Sequence, residues 1–563
     1  MDLLYLCACV FSEVSMKRAL IIIAIVLLIA AVVGLILLGG LMMNNYAETG
    51  SVFGSSPDIS GGFWDKLFGK NEPEVPEDWQ ELVNEENFKF EELRDGTISI
   101  KFIDNGGSDI LVIPEEYNGK PVTTINYNRV HPSYADPANK IKKLIIPDSV
   151  TTIKEGAFGE FLALEEVIIG NGLKIIPDGI FRNSASLTSV TIGNSVTKIG
   201  YSAFLGCTSL TDIVIPDSVT SIDESAFEGC ISLKNVTFGK GLTYIGKRAF
   251  HSCSSLTDIV IPDSVTNIVE SAFEGCRSLK KVTLGKGLIN IGEEAFYGCS
   301  SLTEITLPAG VRNIGKFAFY STALESIHIP ASVRQIGYGF VGSKNLNSIT
   351  VDPQNQNYYV KNNCLIEKGS DVILKGCNTS TIPDDGSVTT IASSAFSGLG
   401  ITSITIPETI KHLGNYAFSN CASLQNIKLP SELQTIGIGA FSNCDSLKKI
   451  DIPPSITTIQ NYVFSGCDAL EEISITSTVN SIGEGVFKEC KSLRAVYLPL
   501  SIENFSTSAF CYCPELKNVY YEGTMEQWEA IKKYPLLPEL NLAPPHFTVV
   551  CADGEINFKG VTL

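Results

Sequence analysis

Apolar and polar positions along this chain follow one schedule for most of its length. Phenylalanine returns every 23 residues at Phe158, Phe181, Phe204, Phe227, Phe250, Phe273, Phe296 and Phe319. It reappears at Phe340 after a step of 21 and, beyond an irregular stretch, continues at Phe396, Phe418, Phe441, Phe464, Phe487 and Phe510, fifteen units in register. Within one unit Leu210, Ile213 and Ile215 alternate with Asp212 and Val214, the period of two that a strand with one buried face requires. Pro216 brings no N–H and ends the pairing. Val219 and Ile222 then turn back to the same core, and Ala226-Phe227 before Gly229 fits a short helical turn closed by a residue at ease with positive φ. A unit of this length cannot bury its own apolar face. The pattern therefore predicts a mainly β solenoid of stacked coils of about 23 residues, with a parallel sheet spaced by about 4.8 Å and short helical turns. Residues 210–252 are echoed by 256–298, with Ile-Pro-Asp-Ser-Val alternating against Gly-Lys-Gly-Leu, so a two-coil segment was duplicated.

The unit Cys-x-Ser-Leu-Thr-x-Ile-x-Ile-Pro-x-Ser-Val-x-x-Ile-x-x-x-Ala-Phe-x-Gly-Cys resembles the BspA-like leucine-rich repeats of bacterial and protist surface proteins, over residues from about 90 to 525. The stretch from Val351-Asp352-Pro353 to Ile382-Pro383-Asp384 is similar to the longer hairpin-bearing repeat of that family. The segment Val519-Tyr520-Tyr521-Glu522-Gly523-Thr524-Met525-Glu526-Gln527-Trp528, with Cys551-Ala552-Asp553-Gly554, resembles its closing unit. Asp95-Gly96-Thr97, Val112-Ile113-Pro114 and Gly119-Lys120-Pro121-Val122 are similar to its opening repeat. The resemblance implies a leucine-rich-repeat solenoid that makes host-matrix, cell-surface or intercellular contacts. It names no ligand.

Ahead of the repeats, Ala19 to Met43 is a run of 25 residues without a charge, long enough as a helix to cross a hydrocarbon core of about 30 Å. Lys17 and Arg18 precede it and no basic residue follows until Lys66, so the expected orientation leaves the N-terminus in the cytoplasm and the repeats outside. A cleaved signal peptide is the alternative, but its apolar region is usually shorter. Met16 is a second candidate start. The expected organisation is a cytoplasmic stub (1–18), a transmembrane anchor (19–43), an acidic stalk (44–90), a first block of repeats (91–350), an irregular hairpin-bearing repeat (351–390), a second block (391–520) and a capping unit (521–563).

A net charge of −19 argues against a nucleic-acid partner. Ten cysteines, at 207, 230, 253, 276, 299, 421, 444, 467, 490 and 513, fall three residues after the repeating phenylalanine. Neighbouring rungs lie within disulfide range, yet Phe161 and Leu399 fill the same slot elsewhere, which favours buried thiols. Cys364 and Cys377 are the best candidate for a disulfide outside this ladder, with free thiols as the alternative. Gly337-Tyr338-Gly339-Phe340-Val341-Gly342 satisfies a dinucleotide fingerprint literally, but the period leaves no room for the helix that such a site needs. The five histidines, at 131, 251, 328, 412 and 546, form no metal motif. Hence no catalytic residue, metal ligand or cofactor is assigned. A carboxylate pair built around Glu166 or Asp212 by stacking remains an alternative, which would make the chain a carbohydrate-active enzyme.

What is left is the outward column of the strands: Ile168, Thr191, Val214, Thr237, Val260, Thr283, Thr306, His328, Thr350, Thr405, Lys428, Asp451, Ser474, Tyr497 and Tyr520. Threonine and valine suit any strand. The cluster Lys428, Asp451, Ser474, Tyr497 and Tyr520 is the candidate ligand-binding face, because exposed tyrosine is enriched at interfaces. The expected function is that of a membrane-anchored surface protein which binds or adheres to an extracellular protein or glycan; an envelope scaffold is the other alternative.

Overall fold

The computed structural model describes residues 83–103, 107–127, 140–534 and 547–558, all within the unit Pro73–Leu563. The expected stub, the span 19–43 and the stalk up to residue 82 lie outside the described residues. Among the described residues no helix is long and apolar enough to cross a membrane.

The repeats form a mainly β parallel solenoid. One side of each coil is the strand that the alternation predicts: Asp212–Ile215 pairs in parallel with Asn235–Phe238, Val214 facing Thr237. Leu210, Ile213 and Ile215 are buried while Val214 is 63% exposed. A second side holds a sheet that the sequence reading did not foresee. Two-residue strands such as Ser221–Ile222 and Tyr244–Ile245 pair coil to coil in one eight-stranded parallel sheet from Ile175–Ile176 to Gln335–Ile336.

On the third side lies the Ala-Phe segment, and here the expectation of helical turns needs correction. Residues on either side of the pair take left-handed backbone, as at Ser225 (φ 56°) and Gly229 (φ 72°), and the segment is a pair of tight turns. Its N–H groups bond to the next coil instead of up a helix: Phe204 N donates to Ala226 O and Phe227 N to Ala249 O, both at 2.8 Å. Among the described residues a 3-10 helix replaces this turn at Thr507–Phe510.

Stacking at one coil per step brings like residues together. Phenylalanine rings from Phe158 to Phe319 lie 5.1 to 6.1 Å apart, nearly parallel, and those from Phe396 to Phe510 lie 5.0 to 5.8 Å apart. Each ring is fully or almost fully buried, which stabilises the fold by about 1.5 to 3 kcal/mol per ring. Phe340 is the exception. Asn313 and Ile314 pair with Gln335 and Ile336, so this coil holds 22 residues, and Phe319 pairs with Val341. Phe340 thus sits in the alanine register, and its carbonyl accepts from Phe319 N as the alanine carbonyl does elsewhere.

The ladder breaks there. Tyr358–Lys361, Cys364–Glu367 and Val372–Lys375 form an antiparallel meander whose last strand rejoins the parallel stack at Thr390–Ile391. At the N-terminal end, Phe88–Glu92 pairs antiparallel with Ile98–Phe102. At the other end, Phe547–Cys551 pairs with Asn518–Tyr521 and with the antiparallel strand Gly554–Phe558. A helix at Met525–Ala530, capped by Thr524 and Gln527, buries Trp528 over the last coil.

Candidate functional site

Each strand of the first side turns two residues outward, two positions apart in sequence. Lys428, Asp451, Ser474 and Tyr497 are exposed and Tyr520 is half-buried. Pairing places Ser474 beside Tyr497 and Tyr497 beside Tyr520. The two tyrosine rings stack at 4.9 Å and 10°, and Asn518 Nδ2 donates to the Tyr520 hydroxyl at 3.2 Å. The companion column runs Lys449, Glu472, Ala495 and Asn518, with Glu472 beside Ala495 and Ala495 beside Asn518. Lys449 pairs with Asp451 at 3.3 Å, both side chains open to solvent. Reading the sequence down one column missed Glu472 and Ala495; the same 23-residue register, applied two positions earlier, finds them.

Nearer the N-terminus the column is not uniformly exposed. Ile168 is 6% exposed, because it packs with Val112 and Ile145, and with the partly buried Val83 and Ile110, in a small apolar cluster. Val83 is remote from Ile168 in sequence, so register alone places Ile168 on an open face that is in fact covered. From Val214 onward the face opens, and Val260 is 62% exposed. Further along, His328 Nδ1 lies 2.9 Å from Thr350 Oγ1.

Chemistry elsewhere is mostly structural. All the described cysteines are free, Cys364 and Cys377 included. The ladder thiols donate one coil back, Cys253 Sγ to Phe227 O at 3.2 Å and Cys276 Sγ to Phe250 O at 3.3 Å. Burial pushes the thiols of Cys230 and Cys276 up to about 12. Glu166 pairs with Lys143 at 3.1 Å. Asp212 accepts from Asn235 Nδ2 at 2.6 Å, and that bond holds its carboxyl below the usual range, opposite to what a general acid needs. His251 lies between Glu228 and Glu274, at 3.3 and 3.8 Å. Among the described residues no group of three or more histidine, cysteine or acidic side chains is placed to hold a metal ion. The segment Gly337 to Gly342 lies in a coil turn and closes in the short strand Val341–Gly342.

One buried cation stands out. Lys375 is fully buried, and its Nζ donates to Ser397 O at 3.1 Å and lies 3.5 Å from Ser394 O. In a regular coil the carbonyl after the phenylalanine accepts from a backbone N–H of the coil before it, as Glu228 O does from Gly206 N. Here the register continues through Gly376, whose N–H bonds Ala395 O at 2.9 Å, but Asn378 two residues on turns its N–H to Leu346 O at 2.7 Å, and the Lys375 amine supplies the donor to Ser397 O instead. Burial pulls the amine down to about 7.

Comparison with known proteins follows the same lines. The family profile "BspA type Leucine rich repeat region" matches in six copies, over residues 132–257, 243–368 and 375–527. No curated protein matches. Among solved structures, a leucine rich cell surface protein from Faecalibacterium prausnitzii is 27% identical, with 81% of this chain and 98% of that chain covered and a TM-score of 0.43. A leucine-rich repeat protein from Bacteroides ovatus is 22% identical, with 81% and 99% covered and a TM-score of 0.42. The leucine-rich repeat protein of T. pallidum is 24% identical, with 39% and 91% covered and a TM-score of 0.31.

Proposed function

We propose, from the premise that this chain belongs to the BspA-type leucine-rich repeat family, that it is a surface-displayed binding protein which uses the outward strand face to hold an extracellular protein or glycan. In this reading the segment 19–43 anchors it in the membrane, residues 1–18 stay in the cytoplasm and the repeats project outside. The observation that carries the reading is the exposed column itself. Inward positions are sealed in one continuous core, while Val214, Val260, Lys428, Asp451, Ser474 and Tyr497 are exposed to solvent, and the strands of Val214, Val260, Lys428, Ser474 and Tyr497 are bonded coil to coil. A rigid array of this kind meets a ligand at little cost in ordering its own chain. Solenoids commonly bind along such a face. A second support is the charge, which is strongly negative overall and disfavours a polyanion.

The test is adhesion by intact cells that carry the full chain. Cells displaying it are expected to adhere to matrix proteins or glycans better than cells without it, and surface protease is expected to remove both the repeats and the adhesion. Equal adhesion with and without the chain, together with an altered envelope on its removal, refutes the binding reading in favour of a structural scaffold.

A further inference from the structure

We propose that the open ring face of Tyr497 on the outward strand face is a subsite for one pyranose ring of a neutral, β-linked glycan. This rests on the reading of that face as the binding surface, and names the chemistry of its ligand. One ring face of Tyr497 is covered by Tyr520, stacked at 4.9 Å and nearly parallel. Its other face therefore turns toward the neighbouring strand, where the residue in register is Ser474, whose side chain is too short to cover it. Tyr497 is 41% exposed. Beside it in the companion column stands Ala495, again small, so neither neighbour is long enough to cover the ring. Glu472 and Asn518 lie to either side of Ala495 in register, and Asp451 is exposed one coil earlier than Ser474.

That arrangement suits a sugar. The aromatic face carries negative potential and attracts the slightly positive C–H groups of an apolar surface, and a pyranose with its hydroxyls equatorial presents such a C–H face. Those hydroxyls then point sideways, where the Glu472 and Asp451 carboxylates accept and the Ser474 hydroxyl accepts or donates. Nearby charges offset one another, Lys428 and Lys449 against Asp451 and Glu472, so the site offers little to a strongly charged ligand. Tyr520 keeps that ring upright, since its hydroxyl is held by Asn518. A tyrosine fixed in one orientation loses little entropy on binding.

The test uses the full chain in detergent, titrated calorimetrically with cellotetraose, a β-linked glucose tetramer, and with maltotetraose, its α-linked counterpart. Cellotetraose is expected to bind and maltotetraose to bind more weakly. Tyr497→Ala should weaken cellotetraose binding by at least about tenfold, on the scale of one aromatic contact. Tyr497→Phe should stay within about twofold because it keeps the ring. Ser474→Tyr, which adds atoms only on the solvent side, should block binding while leaving the melting transition in place. Tyr244→Ala, on the second sheet, should change nothing. Absence of sugar binding in the unaltered chain overturns the proposal. If Tyr497→Ala then also abolishes adhesion to a protein surface, this face is a protein-binding site and the broader reading survives. Sugar binding without adhesion by cells refutes the broader reading alone.

Discussion

Cysteine recurs in the coil for what its thiol does there. Ser184 occupies the same slot one coil before Cys207, is fully buried, and donates to Phe158 O at 3.4 Å as Cys207 Sγ donates to Phe181 O at 3.2 Å. Along the stack the slot thus takes a small side chain with a donor, while Phe161 and Leu399 fill it in the first phenylalanine coil of each block. Cys253→Ser is expected to cost less than about 1 kcal/mol, whereas Cys253→Leu overpacks the coil by about 1 to 3 kcal/mol; denaturant midpoints of the two variants check this. Because burial raises the thiols so far, alkylation at pH 8 with peptide mapping should leave the ladder cysteines unlabelled until the chain is unfolded. Lys375 is governed by the same burial with the opposite sign of charge. In the unfolded chain its amine keeps a proton up to its ordinary range near 10.5, while in the fold it releases it near 7. Between those values the unfolded state binds the extra proton, so this residue makes stability rise with pH, by at most about 1.4 kcal/mol per unit. Lys375→Met should remove that slope, which appears as the difference between the two stability profiles from pH 7 to 9. A parallel pair of profiles would contradict it.

At the scale of the coil, the alternation of Pro-Asp-Ser-Val with Gly-Lys-Gly-Leu has a steric cause. A Cβ built on Gly241 would overlap the Asp217 carbonyl oxygen, and one on Gly287 would overlap that of Asp263. The same aspartates receive the backbone N–H of Lys240 and Lys286, each at 2.7 Å. The proline coil and the glycine coil after it are therefore a matched pair. Gly241→Ala is expected to destabilise by about 1 to 3 kcal/mol through overpacking, read from the shift in denaturant midpoint, while Lys240→Ala leaves the backbone bond in place and stays near neutral. Much of the coil was legible in the sequence, since the buried positions Leu210, Ile213, Ile215 and Phe227 repeat at a fixed step and period-two alternation has one structural meaning. Other parts were not. Ser221–Ile222 is too short a strand to show alternation, Phe340 imitates the ladder from the wrong register because its coil is one residue short, and the covering of Ile168 depends on Val83 far away in the chain. On the candidate face the sequence placed Tyr497 and Tyr520 in one column, and the structure adds that their rings stack. Lys375 gave no signal, because its burial follows from the Asn378 N–H turning to Leu346 O in place of the next coil.

For the repeat region as a whole, contacts pass mainly from one coil to the next, so length is adjustable in matched pairs. Removing residues 216–261 joins Ile215 to Pro262, restores the sequence around the junction and keeps every proline coil under its glycine coil. That deletion is expected to melt within roughly a few degrees of the full chain. Removing 216–238 alone deletes Asp217 and sets Lys240 N over Asn194, whose neutral amide oxygen replaces the carboxylate as acceptor, as Asn171 does for Asn194 N, and should melt lower; the reverse order would refute the pairing.

The third side carries a further implication. Its N–H groups donate in one direction, from Phe204 to Ala226, from Phe227 to Ala249 and from Phe250 to Ala272. The array consequently has a polarity, with acceptors facing its beginning and donors facing its end. Two such ends complement each other, and uncapped molecules would join head to tail into fibres. At the C-terminal end the antiparallel strand Gly554–Phe558 finishes the first-side sheet and the helix Met525–Ala530 buries Trp528, so they stand in the way of such joining as much as they cover the core.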